Sequence, residues 1–214
     1  MPVEQFSKPS VAVIKNKKTY TKHLDLGCGN KPKNPYGQEK LYGLDLISQN
    51  IKNENIAEIK KANLVFEKIP YKNNFFDSVS AFDFLEHIPR ITNSSDQVTH
   101  YAFVELMNEI FRVLKHQGRF YAMTPAYPHP SVFVDPTHVN FITDKTHHYF
   151  CTPSLGAKMY GFNGVFRIIR IRRVRPKYLY EPTKLNLTQK LRKLNDKLKG
   201  LESHLIWELE AVKI

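Results

Sequence analysis

The sequence has few cysteines and no long apolar run, and each absence excludes a class of protein. Only Cys28 and Cys151 occur among 214 residues, too few for the disulfide framework of a small secreted domain. No apolar run approaches the roughly 20 residues that a membrane-spanning helix needs, and the first residues lack the apolar core of a signal peptide. We therefore expect a soluble, cytoplasmic protein.

The length and composition indicate a single globular domain. Apolar residues make up 42% of the 214 residues, and a chain of this length can bury a sizeable core. We therefore treat residues 1–214 as one domain that carries an elaboration.

The positive charge is concentrated in one part of the chain. The formal net charge is +12, of which residues 166–200 contribute +10 and the remaining residues only +2. The basic element is thus a C-terminal segment, and the body of the protein is nearly neutral.

A short apolar run that ends in Gly-x-Gly organises the rest of the chain. His23 to Leu26 precede Gly27-Cys28-Gly29, and Asp45 ends a second apolar run 18 residues after Gly27. This arrangement is typical of a parallel sheet with a nucleoside site at its edge. A dinucleotide site would need a small residue at position 32, which is proline here, so an S-adenosylmethionine site is favoured.

Patterns of apolar residues predict alternating strands and helices. The clearest helix runs from about Asp96 to Leu114, with Ser94 or Ser95 as its cap, and a shorter one opens at Thr152-Pro153 and ends near Tyr160. Prolines between 31 and 37 leave little room for a helix after the first strand. The predicted strands are 23–26, 41–46, 59–63, 75–82, 119–123, 165–174 and 204–213, of which the last two would form a hairpin at the sheet edge. Residues 1–20 are polar apart from one apolar cluster at 11–14, and we expect this N-terminal segment to pack on the rest of the domain.

The order of these motifs resembles that of the class I S-adenosylmethionine-dependent methyltransferases over about 20–175 and 204–214. The matching segments are 24–29, Asp45, 69–71 with 76–79, 85–88, and 109–118. The resemblance implies a Rossmann-like α/β fold, with a mostly parallel seven-stranded sheet of order 3-2-1-4-5-7-6 and helices on both faces. It also implies S-adenosyl-L-methionine as the cofactor, held by a core of residues 20–165.

The same resemblance implies cofactor-binding roles for individual residues. Asp25 and Gly27 would flank the methionine portion, and Asp45 would accept hydrogen bonds from the ribose hydroxyls. The other implied contacts are Gly29 on the sugar side, Leu46 on the adenine face, Asn63, beside Leu64, at the adenine amino group, and Phe82 and Asp83 at the methionine end. Cys28 is a further cofactor-binding candidate.

Residues 124–153 show no clear period, and we expect them to form a substrate loop. Their segment 127–138 resembles the loop of a group of bacterial and viral methyltransferases that modify surface glycans. This resemblance implies a sugar or glycan hydroxyl as acceptor, anionic or nucleotide-linked, with Tyr127, His129 and Phe133 as substrate-binding candidates. A hydroxyl is a weak nucleophile that gains from a general base.

The candidate catalytic residues are His138, Asp135 and His87. Asp135 and His138 could form a base with its orienting carboxylate, ligate a divalent cation that polarises the hydroxyl, or hold the shape of the loop. His87 and Glu86, at the end of the fourth strand, are rival candidates, and His87 could equally be a packed, hydrogen-bonded residue.

The basic segment contains an insertion at 175–203, before the last strand. Its leucines recur at intervals of four and three from Leu187 to Leu201 and predict an amphipathic helix. That helix could cover the sheet edge, join two copies of the chain through 185–201, dock on an anionic surface such as a membrane, or bind nucleic acid. The last role would favour methylation of RNA or another anionic molecule, and a scaffold without catalytic activity is a further possibility.

Overall fold

The computed structural model describes residues 20–47, 55–93 and 98–213. Seven strands form one sheet, and we number only these: β1 Lys22–Leu26, β2 Lys40–Asp45, β3 Ile56–Lys61, β4 Phe76–Phe82, β5 Leu114–Pro125, β6 Phe166–Val174 and β7 His204–Ala211. The α-helices of these ranges are α1 Ala102–Val113 and α2 Leu187–Leu198. Shorter elements are the 3₁₀ helices Leu85–His87, Pro130–Phe133, Thr146–Tyr149 and Gly156–Tyr160, and a ribbon of Thr92–Asn93 with Thr99–His100.

The strand order of the sheet is β3-β2-β1-β4-β5-β7-β6. β7 runs antiparallel to both of its neighbours, whereas the pairs from β3 to β5 are parallel. The predicted Rossmann-like fold and strand order are therefore confirmed.

The central strands are buried along most of their length, including the polar side chains of His23, Asp25, Ser78 and Ser80. Leu24, Leu26, Val79 and Phe120 are fully buried, as expected for parallel strands covered on both faces. One face of α1, which includes Met107 and Ile110, packs on this core. β1, β2 and β4 therefore end at one well-supported edge of the sheet.

Several predicted boundaries differ from those of the structure. α1 begins at Ala102, because Thr99–His100 form a short strand before it. β5 begins at Leu114, five residues before its predicted start, because Leu114 already pairs with Phe76. The helix expected to open at Thr152-Pro153 is a 3₁₀ helix that begins at Gly156. The apolar cluster 11–14 and the caps Ser94 and Ser95 lie outside the described residues.

The connection from β1 to β2 contains no helix in residues 27–39, as its prolines predicted. The hairpin prediction is also confirmed, since β6 pairs with β7 from Phe166↔Ala211 to Val174↔His204. The insertion 175–203 lies between these two strands.

The leucines of α2 do not cover the sheet edge. Leu187, Leu191, Leu194 and Leu198 are all more than half exposed, so that interpretation of the insertion is wrong. In the described ranges, no helix combines the length and the apolar character that crossing a bilayer requires.

Candidate functional site

A cleft of about 260 Å³ opens where β1, β2 and β4 end. Its walls come from the carboxyl ends of these strands, from the segment after β3 and from the 3₁₀ helix after β4. Six of the predicted cofactor-binding residues line it: Gly27, Asp45, Leu46, Asn63, Leu64 and Asp83. The sequence analysis did not predict the contributions of Leu44, Ala62, Val65, Phe84 and Ile88.

Gly27 is required by both its backbone conformation and its surroundings. Its φ is +62°, and a Cβ atom there would lie 2.4 Å from a ring carbon of Phe84. A side chain at position 27 would therefore be strained and would also displace the aromatic wall of the cleft. The Gly-x-Gly pattern indicated the turn, but Phe84 could not be predicted because the contact forms between separate strands.

Asp45 is held by two backbone amides. Gly29 N–H donates to its Oδ2 over 2.8 Å, and Ile47 N–H donates to its Oδ1 over 3.1 Å. Each carboxylate oxygen keeps a further lone pair. The carboxylate is thus fixed at the cleft and able to accept hydrogen bonds from a diol.

Asp25 does not line the cleft but supports the turn beneath it. It is buried, accepting hydrogen bonds from Ser80 Oγ at 2.6 Å and from the Lys33 amide at 2.8 Å. Burial raises the pKa of Asp25 to about 7. Burial also lowers the pKa of His23 to about 3, and the ring nitrogens of His23 contact Ser78 and Ser80. Asp25 is therefore part of a buried polar network that anchors residues after the turn.

Cys28, Gly29 and Phe82 also lie outside the cleft lining. Cys28 Sγ would lie 2.6 Å from a Cβ added to Gly43, so its side chain fills the space between β1 and β2. Gly29 acts on the cleft through its hydrogen bond to Asp45. Phe82 is buried and packs on Tyr121.

Asn63 lines the cleft, and its Oδ1 accepts a hydrogen bond from the Val65 amide over 3.2 Å. The same oxygen keeps a second lone pair that an amino group could use. The side chain thus shapes the turn after β3 as well as the cleft wall.

A second group of side chains brings together Glu86, His87 and His138. His138 Nε2 lies 4.0 Å from Glu86 Oε1, and the two imidazole rings meet edge to face with centroids 4.9 Å apart. The loop that carries His138 is tied to this point, because the Val139 and Asn140 amides both donate to the Glu86 carbonyl over 2.9 Å. Since His87 also lines the cleft, this group adjoins the cleft.

Hydrogen bonds define the tautomer of each histidine. His138 Nδ1 lies 3.0 Å from the Val132 carbonyl; a carbonyl only accepts, so Nδ1 carries the proton and Nε2 has a lone pair. The Thr137 hydroxyl donates to Asp135 over 2.6 Å, so it accepts from His87 Nδ1 at 2.9 Å. His87 Nε2 is therefore also an acceptor when the ring is neutral.

Glu86 is a buried carboxyl group with one free oxygen. Its Oε2 accepts from Thr124 Oγ1 over 2.8 Å, whereas Oε1 has no hydrogen-bond partner. Burial raises the pKa of Glu86 to about 7. An unpartnered buried carboxylate oxygen disfavours the charged form and attracts a nearby cation or proton donor.

Asp135 holds the shape of the loop, which was one of the three roles predicted for it. It is exposed and accepts from the amide and hydroxyl of Thr137 over 2.8 and 2.6 Å. These hydrogen bonds lower the pKa of Asp135. The carboxylate facing His138 belongs to Glu86, so the predicted pairing of Asp135 with His138 is wrong.

The predicted metal site changes accordingly. Among the described residues, the atoms that could ligate one ion come from Glu86, His87 and His138 and lie within 4.8 Å of one another, without Asp135. One carboxylate and two imidazoles form a donor set that divalent transition metals accept.

The substrate-binding candidates lie in the loop but do not line the cleft. Tyr127 and Phe133 are 51% and 60% exposed. His129 caps the 3₁₀ helix Pro130–Phe133, because its Nδ1 accepts from the Ser131 amide. Their roles as acceptor contacts remain predictions.

A larger cavity, of about 430 Å³, lies outside the site just described. Its walls are mainly apolar and aromatic, and they include none of the predicted site residues. The lining residues are Arg90, Ile91, Tyr101, Phe103, Val104, Thr143, Lys145, Thr146, Tyr149, Phe150, Ala157 and Tyr160.

Comparison with known proteins gives a domain match and several structures of the same fold. Residues 24–122 match the family described as "Methyltransferase domain". No curated protein matches the sequence.

Similar solved structures extend over most of the chain. A chain from the complex of the Haloferax volcanii methyltransferase activator Trm112 with a methyltransferase is 13% identical, with a TM-score of 0.57, and the match covers 92% of this chain and 85% of that one. An S-adenosylmethionine-dependent methyltransferase from Mesorhizobium loti is 13% identical, with a TM-score of 0.52 and coverage of 88% and 90%. The [4+2]-cyclase SpnF is 14% identical, with a TM-score of 0.52 and coverage of 90% and 75%. At these identities the likeness shows the fold alone. SpnF is named for a cyclisation and not for methyl transfer.

Proposed function

We propose that this chain, a class I S-adenosylmethionine-dependent methyltransferase, transfers the methyl group to a hydroxyl of a sugar or glycan. Its cofactor is S-adenosyl-L-methionine, as the methyltransferase domain at 24–122 indicates. The observation that carries the choice of a hydroxyl is the group of Glu86, His87 and His138 beside the cleft. An amine acceptor would need little more than alignment, whereas a hydroxyl gains from such a proton acceptor.

The cleft accommodates the cofactor in a defined orientation. Asp45 would accept hydrogen bonds from the ribose hydroxyls, and Gly29 and Ile47 already orient its carboxylate. Leu46 and Leu64 would hold the adenine, and Gly27 and Asp83 would hold the methionine portion, because all four residues line the cleft. The cofactor would supply the methyl group at the cleft that His87 also lines.

His138 removes the proton of the acceptor. Its Nε2 takes the proton of the hydroxyl as the oxygen attacks the methyl carbon, and the carbon–sulfur bond breaks with its electron pair left on sulfur. The products are the methyl ether, neutral S-adenosylhomocysteine and a protonated His138. Glu86 Oε1, 4.0 Å from Nε2, stabilises the imidazolium, and general base catalysis of this kind contributes roughly 10²- to 10⁴-fold.

The loop around the site suits a sugar ring. Tyr127, Phe133 and Phe141 are each more than 40% exposed, and aromatic faces pack well on the apolar faces of sugars. Phe133 and Phe141 lie together, with ring centroids 5.1 Å apart, and form an exposed aromatic surface on the loop that carries His138.

A bound divalent cation is a second route to the same reaction, and the donor set of Glu86, His87 and His138 is the observation that favours it. The cation would polarise the hydroxyl and lower its pKa. Turnover that survives exhaustive dialysis against EDTA would assign the reaction to the base. Loss of turnover that Mn²⁺ or Zn²⁺ restores would assign it to the metal.

The proposed function is tested with the purified full chain and a panel of acceptors. We expect S-adenosylhomocysteine release with sugars, nucleotide-linked sugars or glycans, and none with amine acceptors or transfer RNA. Methylation of RNA, or cofactor binding with no turnover on any acceptor, would instead support an RNA methyltransferase or a non-catalytic scaffold.

A further inference from the structure

The insertion helix α2 presents an apolar stripe to solvent. Leu187, Leu191, Leu194 and Leu198 are 73%, 59%, 53% and 79% exposed. At 100° per residue they fall within an arc of about 60°. Four neighbouring exposed leucines on one helix face differ from the scattered apolar residues of an ordinary surface.

The opposite face of α2 holds the helix to the body of the protein. Asp196 is buried, with carboxylate oxygens 3.6 Å from Arg175 and 3.5 Å from Lys177. Lys193 donates to the Arg173 carbonyl over 3.1 Å and lies 3.9 Å from Glu202. The start of the helix is fixed by reciprocal hydrogen bonds between Asn186 and Gln189. The leucine stripe therefore points outward from an anchored helix.

Exposed cations lie along one border of the leucine stripe and at the end of the helix. By the same helical geometry Lys190 and Lys197 lie on that border, and Lys199 follows the last residue of α2. All three are exposed. The only acidic residue of α2 is Asp196, which faces the body. The outer surface of α2 thus combines apolar and positive groups and contains no negative charge.

This combination selects one kind of partner. A second copy of the chain would cover the leucines but would bring the cationic border of each short helix, about 18 Å long, into the same interface. A nucleic acid would neutralise the cations but leave the leucines in water. An interface of acyl chains and anionic headgroups satisfies both groups at once.

We propose that α2 docks the enzyme on an anionic phospholipid membrane surface, with the four leucines in the interface and Lys190, Lys197 and Lys199 at the headgroups. The helix lies parallel to the membrane plane and crosses no bilayer. This docking surface is separate from the cofactor cleft, so its failure would leave the proposed reaction unaffected.

Vesicle co-sedimentation of the full chain tests this docking surface. We expect binding to vesicles of phosphatidylcholine with 30% phosphatidylglycerol, at least about tenfold stronger than to pure phosphatidylcholine and weakened by salt. Leu191→Gln with Leu194→Gln, and separately Lys190→Gln with Lys197→Gln, should each weaken binding about tenfold or more.

Matched controls separate docking from general surface effects. Phe66→Gln with Met159→Gln removes two side chains that are 75% and 76% exposed elsewhere, and Lys68→Gln with Lys158→Gln removes equal charge from exposed positions. Both controls should bind as the wild type does, and unchanged circular dichroism melting should show that every variant is folded.

Three results would overturn the proposal. The first is that the wild type does not bind anionic vesicles. The second is that the controls lose as much vesicle binding as the α2 variants do. The third is that the wild type forms a dimer in analytical ultracentrifugation and the leucine variant does not. The last result would assign the stripe to a second copy of the chain. Retention of RNA without vesicle binding would assign the cations to nucleic acid.

Discussion

His138 Nε2 lies 4.0 Å from Glu86 Oε1, which joins the loop 124–153 to the carboxyl end of β4. The amides of Val139 and Asn140 secure this contact, since both donate to the Glu86 carbonyl. Two polar side chains from distant parts of the chain thus form a close pair beside the cleft.

Replacing His138 should affect turnover and leave cofactor affinity nearly unchanged. We expect His138→Ala to lower kcat by roughly 10²- to 10⁴-fold, because the hydroxyl loses its general base. The dissociation constant for S-adenosylhomocysteine, measured by titration calorimetry, should stay within about twofold. His148→Ala, an exposed histidine of the same loop, is the matched control. Unchanged turnover at saturating acceptor would exclude His138 as the base.

Replacing Asp45 should instead weaken cofactor binding. Asp45→Ala removes a charged acceptor from the ribose hydroxyls and leaves the Gly29 amide without its partner. Hydrogen bonds to charged groups contribute about 1.5 to 3 kcal/mol, so we expect affinity to fall roughly 10- to 100-fold by calorimetry. Asp144→Ala, an exposed acid of the loop, should bind as the wild type does. Wild-type affinity in Asp45→Ala would contradict the assignment.

Alanine substitutions at Gly27 and Gly37 distinguish the cost of backbone strain from the cost of a steric clash. Both glycines have φ of +62°, but a Cβ atom meets Phe84 at Gly27 and nothing within 4 Å at Gly37. Gly37→Ala should cost about 1 to 2 kcal/mol of unfolding free energy from the left-handed backbone alone. Gly27→Ala should cost more and also weaken cofactor binding. Equal losses in urea denaturation would show that Phe84 moves aside without cost.

Glu86 should make stability depend on pH. Burial raises the pKa of Glu86 from an ordinary 4.5 to about 7, so the folded state binds this proton more tightly than the unfolded state does. The stabilisation of the folded state that this proton provides is fully present below the pKa that Glu86 has in the unfolded state. It is lost as the pH rises through about 7. The free energy of unfolding of the wild type, relative to Glu86→Gln, should fall by up to about 3 kcal/mol over this range.

Comparison with Glu86→Gln is needed because other buried groups also titrate. Asp25 shifts in the same direction as Glu86, whereas His23 shifts in the opposite direction. Their contributions cancel when two chains that differ only at position 86 are compared. Parallel curves for the two proteins between pH 4 and pH 8 would contradict the raised pKa of Glu86.

The cofactor edge could be predicted because it depends on local signals, whereas the strand order followed only from the resemblance to a known family. The apolar run before Gly27 and the acid at Asp45 predict two parallel strands that end at one edge. The spacing of apolar residues predicted α1, although Thr99–His100 pair in a ribbon and shorten its start. That ribbon forms through contacts that helical periodicity does not contain.

The sequence by itself determined the sheet, the Gly-x-Gly turn, Asp45, and a basic amphipathic helix before the last strand, because periodicity and turn chemistry act between residues close in the chain. Only the tertiary structure decided that Glu86 faces His138 while Asp135 bonds Thr137, that Asp25 supports the turn from below, and that the leucines of α2 face solvent. These outcomes depend on which surfaces meet after folding. A side chain of given chemistry serves as a base, a turn anchor or an exposed contact according to the neighbours and the burial that packing provides.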